Sequence, residues 1–270
     1  MRGRTTVAEA VGTALVGCGV DTVVGVVGSG NFVVTNAMVA AGARFVAACH
    51  EGGAATIADA HARMSGRPTA LTLHQGCGLT NALTGITEAA KSRTPLVVLA
   101  AETTSPLSNF AVDQAALATA VGAVPMRVTS AAGALDQVAA AVGTAVHGRR
   151  TVLLNLPLDV QAEELPAPAG PPEVPVPPVP APDAGEVERL AAALRTARRP
   201  VFVAGRGARG ARAALAAWPS GAARCWPPRR WPRGSSTATP GRWTSPAASP
   251  RPWPPSSSAV PTWSSAGAAR

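Results

Sequence analysis

Residues 44–102 read RFVAACHEGGAATIADAHARMSGRPTALTLHQGCGLTNALTGITEAAKSRTPLVVLAAE, and the fold is decided there. Short apolar runs at 45–48, 69–73 and 95–100 alternate with Ala-rich runs of helical spacing, a βαβαβ succession. In an open parallel sheet, ligands bind beyond the carboxyl ends of the strands. Glu51 follows the first of these strands and His74 the second, so both are expected to line one crevice. Glu51 stands between an apolar strand and a Gly-Gly-Ala-Ala helix start that puts almost no side-chain bulk around it. A lone carboxylate so placed is a candidate for chemistry, although in isolation a Glu at a helix start also answers to the helix dipole.

Working outward, residues 5–17 have helical Ala/Val/Leu spacing, and Thr6-x-x-Glu9 reads as a capping box at their start. A strand at 22–27 follows, then the Gly28-Ser29-Gly30-Asn31 turn and a helix to 41. Gly28 and Gly30 permit close approach of backbone to a neighbour, and a plain tight turn is the other reading. Beyond the opening stretch come a helix at 113–121 carrying Gln114, a strand at 125–128, a helix at 133–146 and a last strand at 151–156. Six strands with helices between them make one doubly wound, mostly parallel α/β domain over 1–165.

In succession, HEGGAATIADAHARMSGRP and LHQGCGLTNALTGITEAAKSRTPLVVLAAE resemble the pyrimidine-binding domain of thiamine-diphosphate-dependent enzymes of the acetolactate synthase and benzoylformate decarboxylase group. The resemblance covers residues 5–165, and 186–217 in part. It implies that Glu51 bonds N1′ of the cofactor's aminopyrimidine and so promotes removal of the thiazolium C2 proton, an effect that apolar walls around the carboxyl would strengthen. It also implies that Gly28, Gly30, Asn31, Gly76, Cys77, Gly78, Asn81 and Gln114 border the cofactor. Gly76, Gly78, Thr80 and Asn81 match the family's G-x-G-x-T-N turn, with Cys77 where acetolactate synthases usually have Pro. His74 falls where the benzoylformate decarboxylase branch carries an active-site His, which implies acid/base work on the substrate-derived intermediate. From the residues alone, a His satisfied by loop backbone is equally open.

The resemblance further implies a 2-keto acid or aldehyde substrate, and either acetolactate-synthase-like transfer or decarboxylation. His74 leans towards decarboxylase chemistry and SRTPLVVLAAE towards the acetolactate synthase branch. In this family the diphosphate and its magnesium are held by a separate C-terminal domain with a G-D-G motif, and each cofactor lies between two subunits. A homo-oligomer, dimer or tetramer, is therefore implied. The present sequence has no G-D-G, so no metal ligand is named and the chain is expected to be incomplete as an enzyme. A non-catalytic pyrimidine-domain remnant is the alternative. His50, Asp59 and His61 fit no standard metal-ligand spacing.

Composition divides the chain in two. All 15 acidic residues and 10 of the 24 basic ones lie in 1–188, so the net charge of +9 belongs to the remainder, as do all six Trp. Cys18, Cys49, Cys77 and Cys225 have neither zinc-site nor disulfide-framework spacing, and reduced thiols in a cytoplasmic protein are expected. No stretch approaches the roughly 18 apolar residues of a membrane span. Between 166 and 182, nine of seventeen residues are Pro, which predicts an extended interdomain linker over 166–185.

A helix at 186–196, a strand at 200–204 and the Gly205-x-Gly207-x-x-Gly210 fingerprint then resemble the start of the family's central domain, which binds FAD in some members only. No acid stands about 20 residues further on to take a ribose, so nucleotide binding is not the expectation. Residues 218–270 have no acid and no apolar period, and a Pro or Trp every few positions. With GC-rich codons assumed, moving the frame back one base restores a family-like sequence. A frame shift near 216–217 and a disordered tail are therefore expected. A basic, Trp-bearing nucleic-acid arm is the other reading, and no RNA-binding motif supports it.

Overall fold

The computed structural model describes residues 4–166, 170–178, 180–198, 201–203, 205–211, 213–214 and 224–226, within two units, Met1–Arg198 and Arg199–Arg270. The first unit opens with β1 (Arg4–Thr6), α1 (Val7–Gly17), β2 (Thr22–Gly25), α2 (Phe32–Ala40) and β3 (Arg44–Ala47). It continues through α3 (Glu51–Ser65), β4 (Thr69–Leu73), α4 (Cys77–Lys91), β5 (Leu96–Glu102) and α5 (Gln114–Ala120). Then come β6 (Val124–Arg127), α6 (Ala134–Val146), β7 (Thr151–Pro157), α7 (Leu158–Ala162) and β8 (Glu164–Pro166).

Strands β2 to β7 form one parallel sheet in the order β3-β2-β4-β5-β7-β6, the doubly wound α/β arrangement expected. Every residue of β4 and β7 is buried, while β3 and β6 at the edges are partly exposed. That is why the central strands carry apolar runs that do not alternate, with Thr69, Thr72, Thr151 and Asn155 as buried polar exceptions. One buried cluster joins α1, α2 and α6 to the sheet, and a second joins α3, α4 and α5 to its other face. Since α2 leaves β2 towards one face and α4 leaves β4 towards the other, the winding reverses between β2 and β4. A crevice opens at such a reversal, beyond the strand ends.

The capping box at α1 is present: the Thr6 hydroxyl accepts from the Glu9 amide, and the Glu9 carboxylate accepts from the Thr6 amide. Thr6 is extended for that purpose, with φ −76° and ψ 157°, so the helix starts two residues later than its sequence suggested. Arg4–Thr6 instead pairs antiparallel with Glu164–Pro166, closing the domain's two ends on each other.

Residues 170–178 carry no helix or strand, and their first part packs on the domain. Pro171 covers Gly17 so closely that a Cβ there would come within 2.5 Å of the Pro171 Cβ. The Cys18 thiol donates to the Pro172 carbonyl at 3.7 Å, and Val174 packs against the α1–α6 cluster. After this strap, α8 (Ala184–Thr196) is capped by Asp183 and has no buried residue.

In the second unit, β9 (Val201–Val203) precedes a 3-10 turn over Arg206–Ala211 and pairs in parallel with β10 (Arg224–Trp226). The glycine fingerprint thus follows a strand, as expected, and opens a 3-10 turn. Arg224–Trp226 forms a short strand within the stretch expected to be a disordered tail. Parallel pairing uses backbone N–H and C=O groups, which need no apolar period. The rest of that tail, with the expected frame shift and disorder, lies outside the described residues.

Candidate functional site

Gly28, Gly30, Gly76 and Gly78 converge at the β2/β4 reversal with the polar side chains of Asn31, Glu51, His74, Gln75 and Asn81. Glu51 is the first residue of α3, and its Oε2 accepts from Asn81 Nδ2 of α4 at 3.1 Å. Oε1 has no hydrogen-bond partner among the described residues. A Cβ added at Gly78 would lie 3.7 Å from that Oε1 and 3.3 Å from the His74 Cβ. Gly78 therefore keeps open the space between the carboxylate and the imidazole. Glu51 is only partly buried, so the apolar enclosure expected around it is not completed by the described residues.

His74 leaves β4 towards the Gly28–Asn31 turn, and its Nδ1 accepts from the Gly30 amide at 3.3 Å. A Cβ at Gly28 would stand 2.9 Å from His74 Cγ, so glycine alone lets the turn lie against the ring. Asn31 is buried, with its amide spent on the turn. Its Oδ1 accepts from the Gly28 amide at 2.8 Å, while Nδ2 donates to the Val26 carbonyl at 3.1 Å and to Thr72 Oγ1 at 2.9 Å. Thr35 closes the network through the Thr72 hydroxyl at 2.9 Å. Asn31 thus shapes the crevice from behind.

Gly76 caps α4 with φ +60°, and a Cβ there would meet the Phe110 carbonyl at 2.6 Å. Only glycine adopts that conformation freely and admits that contact. The Phe110 ring then meets the His74 ring edge-on, with centroids 5.2 Å apart and planes at 71°. Cys77 is an exposed free thiol at the start of α4.

Gln114 stands elsewhere. It is buried, and its Nε2 donates to the Ala101 carbonyl at 2.9 Å. With Glu102, Arg127 and Asn155 it lines a cleft at the ends of β5, β6 and β7 whose lining includes none of Glu51, His74 or Gly78.

Sequence reasoning missed Gln75 and Phe110. Gln75 is 7% exposed, its Oε1 lies against Gly30, and that oxygen has no hydrogen-bond partner among the described residues. An unpaired buried acceptor costs about 1–3 kcal/mol, and Gln114 Oε1 and Asn155 Oδ1 are unpaired in the same way. For Gln75, its place next to His74 was the available signal; Phe110 carried none.

His50, Asp59 and His61 are each engaged apart. His50 caps α3 by accepting from the Gly52 amide at 3.0 Å, and His61 meets Thr69 Oγ1 at 2.9 Å. Asp59 accepts from Thr94 Oγ1 at 2.7 Å and pairs with Arg63. Among the described residues, no group of three His, Cys, Asp or Glu could hold a metal ion. No described helix is long and apolar enough to cross a membrane.

Residues 5–139 match the family model described as "Thiamine pyrophosphate enzyme, N-terminal TPP binding domain". This chain belongs to that family. Among curated relatives of this thiamine pyrophosphate enzyme chain, the sulfoacetaldehyde acetyltransferase of Rhodobacter capsulatus is 32% identical over 76% of the chain and 35% of its own length. The "Probable 2-ketoarginine decarboxylase" of Pseudomonas aeruginosa is 33% identical over 78% of the chain and 39% of its own length. The 2-hydroxyacyl-CoA lyase of Saccharomyces cerevisiae is 38% identical over 30% of the chain and 15% of its own length. The chain thus spans little more than a third of the first two relatives.

The crevice fits the cofactor's aminopyrimidine on two counts. Glu51 Oε1 is open, and Gly78 leaves room beside it.

Proposed function

We propose that the β2/β4 crevice binds the aminopyrimidine of thiamine diphosphate, and that the domain serves a reaction of a small 2-keto acid or aldehyde. The observation that carries this reading is the Glu51 carboxylate, held through Oε2 by Asn81 at 3.1 Å and open at Oε1 beside Gly78. When bound, the cofactor supplies a carbanion equivalent that attacks a carbonyl carbon. Glu51 contributes a fixed carboxylate to the pyrimidine ring nitrogen. Asn81 restricts its rotation, so the second oxygen is already aimed when the ring arrives. His74, across Gly78, is placed to hydrogen-bond to substrate.

The names of the two longer-matching relatives, an acetyltransferase of sulfoacetaldehyde and a decarboxylase of 2-ketoarginine, support the carbonyl substrate class. Magnesium and diphosphate would be held by a partner domain across a subunit interface, in a dimer or tetramer. Ile57 and Met64, apolar and exposed along α3 behind Glu51, support such an interface.

Titration calorimetry of the full chain with thiamine diphosphate and magnesium tests the proposal. Saturable binding is expected, and Glu51→Gln should weaken it about 10- to 100-fold, the range for a hydrogen bond to a charged group. Equal binding by the Glu51→Gln variant, or none by the parent chain, would overturn the reading.

A further inference from the structure

We propose that the Gly28–Gly30 turn fixes His74 as the neutral tautomer with its proton on Nε2, and that Phe110 is the positioning residue that holds the ring there. The role for His74 in substrate binding rests on the function proposed above, whereas the tautomer rests on this chain's geometry alone.

A backbone N–H can only donate. When the Gly30 amide points at His74 Nδ1 at 3.3 Å, that nitrogen accepts and carries no proton, so in a neutral ring the proton lies on Nε2. The contact is built in from several sides. Gly28 and Gly30 allow the turn to approach because any Cβ there would press on His74, with Nδ1 3.0 Å from the one at Gly28 and 3.1 Å from the one at Gly30. Asn31 holds the same turn by accepting from the Gly28 amide at 2.8 Å.

Phe110 stands edge-on to the same ring at 5.2 Å, and its own backbone is seated against Gly76. An edge-to-face aromatic pair is directional, so it resists the turning of the ring plane that would carry Nδ1 away from the Gly30 amide. Nε2 has no hydrogen-bond partner among the described residues. His74 therefore meets a ligand as a hydrogen-bond donor, suited to polarising a carbonyl oxygen. It does not begin as the base that removes a proton. A histidine satisfied by loop backbone and a functional histidine are here the same residue, with one nitrogen given to each task.

Histidine-selective 15N labelling of the full chain tests this without cofactor. Only four imidazoles contribute, and His74→Gln assigns one of them. Long-range 1H–15N correlation, above the ordinary titration range of imidazole, should show His74 with Nδ1 unprotonated and Nε2 protonated. His50, whose Nδ1 accepts from the Gly52 amide at 3.0 Å, should show the same pattern and serves as the folding control.

In Phe110→Ala the His74 pattern should become a mixture of both tautomers while His50 is unchanged. If the control signal is lost in that variant, Phe110→Leu takes its place. A proton on Nδ1 in the parent chain overturns the tautomer assignment, and an unchanged His74 pattern in the Phe110 variant overturns the positioning role. Failure of thiamine diphosphate to bind would leave both results standing, so the two proposals fail separately.

Discussion

At the scale of single residues, the crevice separates groups that face a ligand from groups that hold those groups in place. Glu51 Oε1 is left open, whereas both polar atoms of the Asn31 amide are consumed by Gly28, Val26 and Thr72. Gly78 decides whether that open oxygen can be reached. It lies in α4, where Ala is favoured over Gly by roughly 0.5–1 kcal/mol, and its added Cβ would sit 3.3 Å from the His74 Cβ, close enough to make that side chain shift slightly. Gly78→Ala should therefore leave the melting temperature unlowered while weakening thiamine diphosphate binding about tenfold. Calorimetric melting beside ligand titration would show it, and unchanged affinity would remove Gly78 from the site. Glu51 and His74 were legible in the sequence because each ends an apolar run. Gln75 and Phe110 were not, since an orphaned oxygen and a ring contact exist only after the turn and the 103–113 segment come together.

At the scale of elements, the start of α1 couples helix formation to pH. The Glu9 carboxyl is held below its ordinary range first by the Thr6 backbone N–H, then by the Thr5 and Thr6 hydroxyls. A carboxyl depressed in the folded state stabilises the fold above its unfolded value, and that contribution is lost as pH falls through the folded value. Thr6→Ala should cost about 1 kcal/mol at neutral pH. The stability difference between the parent chain and Glu9→Ala should shrink as pH drops below about 4. Urea unfolding at neutral and acid pH measures both, and a Glu9→Ala difference that grows in acid would contradict the assignment. The capping box could be read from Thr6-x-x-Glu9, because it is local. The pairing of Arg4–Thr6 with Glu164–Pro166 could not, since its partner is 160 residues away in register.

At the scale of the whole molecule, the Pro-rich segment is more than a spacer over its first part. Pro171 fills the notch above Gly17, and the Cys18 thiol beneath is pushed up in pKa by burial. A side chain at position 17 has no room while Pro171 stays. Gly17→Leu should displace the strap and raise the alkylation rate of Cys18 several-fold, with the exposed Cys49 and Cys77 unaffected as internal references. Peptide mapping after timed alkylation reads this, and an unchanged Cys18 rate would mean that the strap does not shield the thiol. Proline content announced an extended chain at 166–182, because rings without N–H groups cannot join a ladder. Where that chain lies was set by a glycine notch that forms only when α1 packs beside Ala41.

By itself the sequence determined the alternation of buried strands and helices, the family and the two strand-end residues on which a function can be argued. Those follow from local period and from motifs read in order, which need no knowledge of what touches what. Tertiary structure decided that Gln114 belongs to another cleft, that Asn31 braces the turn, and that His74 gives one nitrogen to the Gly30 amide. These depend on the strand order β3-β2-β4-β5-β7-β6, which brings the ends of β2 and β4 together and sends that of β5 to β7. Contacts across a sheet are fixed by which strands become neighbours, and that is a property of the folded chain as a whole.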